Sequence, residues 1–181
     1  MRAPPAPRRP EDAVDPVDAG HYYGILESRF GIPRSTFDPY LCFRANSQAL
    51  WILGRDLELP ERPDPYAMGM PFFYVRMRWP RPTTHAACRF GHLATRNTVD
   101  LDPGDLGLLL AGTEFAVAPD VAAGVDGNGY VFVRCYGRVM GSGYFRPEGS
   151  AGWLKGLCPK RWAIRLGVDV PKDEPADDGS V

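Results

Sequence analysis

The sequence predicts an α+β protein, a small N-terminal α/β subdomain followed by a β-barrel, and three observations carry that expectation. Apolar residues recur every four positions at Tyr22, Leu26 and Phe30, the spacing of one helical face. Asp102-Pro103 supplies an N-cap and a proline at the first helical position, opening a second helix that Gly112 ends. After residue 113 the texture changes to short apolar runs separated by Gly and Pro, the pattern of a small barrel or sandwich.

Taken in chain order, the first helix spans residues 21 to 30, and Gly31 and Pro33 stop it. Tyr40 to Arg44 and Ala49 to Leu53 form a hairpin around Ala-Asn-Ser, closed by Gly54. Pro60 to Pro65 is a loop. The aromatic and branched run Pro71 to Trp79 reads as a strand, whose alternation places Arg76 and Arg78 on one cationic face. Thr83 N-caps a short helix that Gly91 terminates, and Thr98 to Leu101 is a strand. The barrel strands are Phe115 to Ala118, Gly127 to Tyr136, Gly137 to Phe145 and Trp162 to Leu166. Residues 1 to 20, with five prolines and almost no large side chain, and the acidic residues 171 to 181 read as disordered tails. The ordered chain thus divides into residues 21–100 and 101–170.

The chain has 181 residues, a net charge of −1 and 44% apolar residues, enough for one compact core and too few for a multidomain machine. No run approaches the roughly 20 apolar residues that span a bilayer, and the N-terminus lacks the apolar stretch of a signal peptide. A soluble, cytoplasmic protein is expected. The near-zero charge conceals segregation. Residues 71 to 99 carry five arginines and no acid, residues 100 to 126 carry six acids and no base, and residues 131 to 170 carry seven bases against two acids.

An enzyme needs a nucleophile, a base or a metal site, and little here supplies one. His21, His85 and His92 are too far apart in sequence for a metal triad. Cys88 with His85 is an i, i+3 pair without a nameable oxyanion donor. Cys42, Cys88, Cys135 and Cys158 form no C-x-x-C pair and read as reduced, mostly buried thiols. Gly137, Gly141 and Gly143 lack the Lys-Ser or Lys-Thr of a phosphate loop and read as turn or bulge glycines. No cofactor, metal or catalytic residue is expected.

The positive signal is the company that bases and aromatics keep. Arg76, Arg78, Arg81, Arg89 and Arg96 accompany Tyr74 and Trp79. Arg134, Arg138, Lys155, Lys160, Arg161 and Arg165 accompany Tyr136, Tyr144, Trp153 and Trp162. Guanidinium groups fork onto phosphates and aromatics offer stacking faces, which is the chemistry of RNA contact. The competing reading makes the aromatics core and the arginines a solvated face.

Several segments carry a resemblance: Arg29 to Pro33, Phe37-Asp38 and Tyr40, Trp51, Pro82 to Thr84, Arg89 to Gly91, Ala94 to Asn97, Asn128 to Val131, and Pro159 to Arg161. Over residues 21 to 167 the chain resembles the PUA-like RNA-binding region that lies C-terminal to the catalytic domain in Sun/Fmu-type ribosomal RNA cytosine-5 methyltransferases, and free-standing archaeal proteins look similar. The resemblance implies a PUA-like barrel behind a smaller α/β subdomain, with RNA as ligand. It departs from the family in lacking the methyltransferase domain, since Cys158-Pro159 reverses the catalytic Pro-Cys order, and in an insertion around Glu148 to Gly152.

The expected function is therefore non-catalytic docking on structured ribosomal or transfer RNA, with an RNA-modification enzyme or ribosomal particle as a further partner. Arg138, Lys155, Lys160, Arg161 and Arg165 are the expected phosphate contacts and Arg134 and Arg96 the next choice, while Tyr144 or Trp153 stacks on an unpaired base. Thr83, Thr84 and Asn97 are candidate ligands that compete with structural roles, the threonines as helix caps. The rival expectation is an interaction subunit whose acidic segment, Asp100 to Asp126, binds a separately encoded methyltransferase.

Overall fold

Short apolar runs cannot bury both faces alone, so they pair, and here they pair into two sheets. A computed structural model describes residues 9–59, 68–159 and 162. The first sheet is an antiparallel meander of β1 (Tyr40–Arg44), β2 (Ala49–Gly54), β3 (Met70–Tyr74) and β4 (Arg81–Pro82). The second contains β5 (Thr98–Asp100), β6 (Glu114–Val117), β7 (Gly129–Cys135), β8 (Arg138–Glu148) and β9 (Ala151–Gly156) in the order β5-β7-β8-β9-β6. Only β5 and β7 run parallel. With four helices, α1 (Gly20–Ile25), α2 (Thr84–Phe90), α3 (Pro103–Ala111) and α4 (Pro119–Ala122), the α+β class holds among the described residues.

The barrel does not close. Edge strands β5 and β6 are unpaired with one another, and α4 packs against both β5 and β9. A short helix thus bridges the gap between the two ends of a curled, open sheet.

Local chemistry accounts for the helix limits. Thr83 accepts from the Ala86 amide at the start of α2, and Asp102 accepts from the Asp105 amide at the start of α3, each satisfying a donor the helix cannot. From α1 the chain continues as a π-wound turn, Leu26–Phe30, and leaves it through Gly31 at φ 70°, where an added Cβ would overlap the Thr95 side chain. Gly91 is different. Its φ is −65° and the chain runs on as a 3-10 turn, Gly91–Leu93, so it is not a left-handed terminator. It is small because Val139 and Phe132 press against it.

Several expectations need correction. The strand expected to reach Trp79 ends at Tyr74, because Val75 already donates to the Gln48 carbonyl in the β1–β2 turn and no ladder continues beyond it. Arg76 and Arg78 therefore lie in a loop and not on a strand face. Asn46, whose side chain accepts from the Gln48 and Ala49 amides, closes the β1–β2 hairpin; Gly54 instead ends β2 opposite Tyr40. The supposed insertion at Glu148 to Gly152 is the two-residue turn Gly149-Ser150 joining β8 to β9. Part of the N-terminal tail is ordered too, since Val17 donates to the Cys42 carbonyl and Ala19 is buried. The strand expected at Trp162 to Leu166 and the loop at Pro60 to Pro65 lie outside the described residues, apart from Trp162.

Two apolar cores result, and β7 belongs to both. Side chains alternate along a strand, so Val131 and Val133 enter the core of the second sheet with Phe145, Leu154 and Leu109. Phe132 points the other way, into the core formed by Phe30, Ile32, Phe37, Phe72 and Phe90. There its ring stacks on Phe30, with centroids 3.8 Å apart and planes 7° from parallel. Replacing Phe132 with Ala should cost about 3–5 kcal/mol of stability, read from urea denaturation, and both sheets should still unfold in one transition.

Candidate functional site

Three stretches meet in space, Glu27 to Phe30, Thr95 to Asn97 and Asp126 to Tyr130, and what they build is a fastener. Phe30 accepts through its carbonyl from the Thr95 amide at 2.9 Å, and Glu27 accepts likewise from the Arg96 guanidinium at 3.0 Å. The Asn97 side chain donates to the Arg29 carbonyl and to Asp126, and accepts from the Asp126 amide at 2.8 Å. Its φ of 54° is a left-handed conformation that asparagine tolerates better than most residues. Arg29 completes the set, donating to the carbonyls of Tyr130 and Asp126. Burial lowers its pKa while the nearby Asp126 charge opposes that shift.

These contacts remove some candidates from the surface. Asn97 is 1% exposed and Thr83 0%, with the Thr83 hydroxyl donating to the Pro71 carbonyl at 2.7 Å. Thr84 is buried and donates to the Leu157 carbonyl. All three act in the fold and cannot reach RNA. Arg134 is held in a two-pronged pair by Asp100, so its charge is compensated. Arg96 is exposed but tied by one nitrogen to Glu27. Lys160, Arg161 and Arg165 lie outside the described residues.

Tyr144, Lys155 and Trp153 do come together. Where β8 and β9 pair around Phe145 the side chains alternate, with Phe145 and Leu154 buried and Tyr144, Arg146 and Lys155 exposed. Register puts Tyr130, Tyr144, Lys155 and Glu114 in one row across four strands. The adjoining row is Arg146, Trp153 and Ala116. Tyr130 and Tyr144 meet edge to face at 5.3 Å. The face also holds acids: Arg146 pairs with Glu114 at 3.2 Å, and the Trp153 indole donates to Glu148. Arg138 is exposed at the β7–β8 turn, six residues along β8 from Tyr144 and roughly 20 Å away at about 3.3 Å per residue. It belongs to another end of the sheet.

Two exposed aromatics stand out beside these. Trp79 is 67% exposed, and its carbonyl accepts from the Tyr130 hydroxyl at 3.2 Å, which seats it next to the Tyr130–Tyr144 pair. Tyr136 is 86% exposed in the tight turn with Gly137. Both stood in the basic-aromatic segments of the sequence, but only solvent exposure separates them from core aromatics such as Phe132, and a sequence does not carry that information.

The Cys88–His85 pair does not form an activated nucleophile. Cys88 is exposed, but partial desolvation by its neighbours pushes its thiol up, the opposite of what a thiolate needs, and the neighbouring His85 ring packs edge-on against Trp162. No group of three or more His, Cys, Asp or Glu side chains gathers to hold a metal among the described residues. No helix among them is long and apolar enough to cross a membrane.

No protein-family model matches the chain, and no curated protein matches it. Among solved structures it is similar to a hypothetical protein, PH0734.1, from the hyperthermophilic archaeon Pyrococcus horikoshii OT3. The match has 18% identity and a TM-score of 0.52, and covers 85% of this chain and 98% of that one. At that identity the likeness concerns the fold alone.

Burial raises the Cys42 and Cys158 thiols to about 11 and the Tyr23 hydroxyl to about 12, since the ionised forms lose solvation. The folded state thus keeps protons that the unfolded chain releases. Their contribution to stability is full below the ordinary thiol value of 9.0 and is lost as pH rises through about 11. The urea midpoint should stay level between about pH 7 and 8.5 and decline from about 9 to 11; a flat profile up to pH 11 would contradict the burial of these groups.

Proposed function

We propose that the protein is a non-catalytic RNA-binding protein whose curled second sheet is a PUA-like pseudobarrel, docking on structured ribosomal or transfer RNA. The observation that carries this reading is the row Tyr130–Tyr144–Lys155 with Trp153 beside it on the open face of β8 and β9. A cation next to aromatic faces provides phosphate attraction and base stacking in one place, and stacking accepts any base. The resemblance of residues 21 to 167 to the PUA-like region of Sun/Fmu-type methyltransferases supports the same assignment. So does the mixed, open second sheet, on which α4 packs against both β5 and β9.

In this reading Lys155 contacts phosphate and Tyr144 or Trp153 stacks on a base. Lys160, Arg161 and Arg165, which lie outside the described residues, are further phosphate contacts in this reading. Arg138 makes a separate phosphate contact at the far end of β8. Thr83, Thr84 and Asn97 have no part in it.

The rival, a subunit that binds a protein partner through its acidic segment, draws less support from the geometry. Four of the six acids between Asp100 and Asp126 are engaged within the chain. Asp100 holds Arg134, Asp102 caps α3, Glu114 pairs with Arg146, and Asp126 receives Asn97.

Fluorescence anisotropy of the protein with labelled structured RNA, at about 50 and about 200 mM salt, tests the proposal, because displaced counterions make log affinity fall linearly with log salt. Lys155→Ala should weaken binding several-fold for every RNA sequence and reduce the salt slope by about 1. Charge reversal of Lys160 and Arg161 to Glu should weaken it further. Unchanged affinity in folded variants would reject these contacts, and no binding at the lower salt would reject RNA as the ligand.

A further inference from the structure

The loop between β3 and β4, Val75 to Pro80, meets the second sheet where the Tyr130 hydroxyl donates to the Trp79 carbonyl. Four consecutive side chains in it are exposed: Arg76, Met77, Arg78 and Trp79. Met77 is 44% and Trp79 67% exposed, a costly display of apolar surface for residues with no structural task. The loop is nevertheless anchored. At one end Val75 donates to the Gln48 carbonyl, and at the other the Tyr130 hydroxyl donates to the Trp79 carbonyl. The Arg81 guanidinium lies over the Tyr74 ring at 5.1 Å, tying the two stems together. An anchored loop can present an indole without the ordering cost that a free loop pays on binding.

We propose that this loop and the open face of β8 and β9 form a single clamp for an unpaired nucleotide of RNA, with Trp79 as the stacking platform. The inference rests on the RNA reading above and assigns the part of the RNA that is recognised. Tyr130 links the two sides, since its hydroxyl holds Trp79 while its ring meets Tyr144 at 5.3 Å, one strand from Lys155. Charge complements the stacking. No acid occurs between residues 65 and 99, Arg78 lies over one face of the indole at 5.7 Å, and Arg76 is exposed in the same loop. A base stacked on Trp79 therefore has its phosphates among cations. A fully paired helix cannot offer a base face to an exposed indole, so the clamp selects unpaired positions.

Two RNA hairpins of equal length, one with a single unpaired purine and one fully paired, discriminate the idea in anisotropy titrations of the full chain. The wild-type protein should prefer the bulged hairpin by about tenfold, in the range a stacked base provides. Trp79→Ala should bring the ratio close to one, Trp79→Phe should retain much of it, and neither should shift the melting temperature, because the indole is exposed. Equal binding of both hairpins by the wild type, or a preference that survives in Trp79→Ala, would overturn the clamp and leave the RNA reading standing. Absence of binding to either hairpin would overturn both and favour a protein partner for the exposed loop.

Discussion

The stack of Phe30 on Phe132 is the contact on which the rest of the structure depends. It joins the end of the first helical segment to β7, an interior strand of the second sheet, and β7 can serve both cores only because its side chains alternate. Around this stack the chain adds directional bonds: Thr95 to Phe30, Arg96 to Glu27, Asn97 to Arg29 and Asp126, and Arg29 to Tyr130. Each satisfies a group near the buried seam that would otherwise lose its water partners without return. The seam thereby sets where the β3–β4 loop sits against β7, and with it the position of Trp79.

How far the sequence discloses this depends on the range of the interaction. Local signals are legible: Asp102-Pro103 and Thr83 start helices where their side chains can cap them, and Gly31 and Gly112 leave helices through left-handed backbone. The β1–β2 hairpin and the β7–β8 hairpin follow from short apolar runs around polar or glycine turns. What fails is non-local. The run Pro71 to Trp79 has strand composition throughout, yet the ladder available to it ends at Tyr74. Closure of the barrel is a matter of sheet edges meeting, which no local pattern encodes.

The candidate site shows the same division. Residue type alone selects Lys155, Tyr144 and Trp153 together with Thr83, Thr84, Asn97 and Arg134, but the first three share an open face while the others spend their polar groups on the protein. Burial is decided by tertiary packing, so a buried asparagine and an exposed one read alike in sequence. The motif Ala94 to Asn97 illustrates the point: its visible work here is to fasten the helical segment to the sheet. Charge segregation, in contrast, survives folding in an informative way. Asp100 and Glu114 of the acidic segment are paired with Arg134 and Arg146, while the arginines of the β3–β4 loop remain exposed.

Amide hydrogen exchange with and without a structured RNA tests the central claim most directly, because it reports the contacting segments without presupposing which side chains matter. The account predicts added protection in residues 74 to 81 and 142 to 156 when RNA is present, with little change in α1 and α3. Protection confined to residues 100 to 126, or none anywhere at low salt, would contradict it.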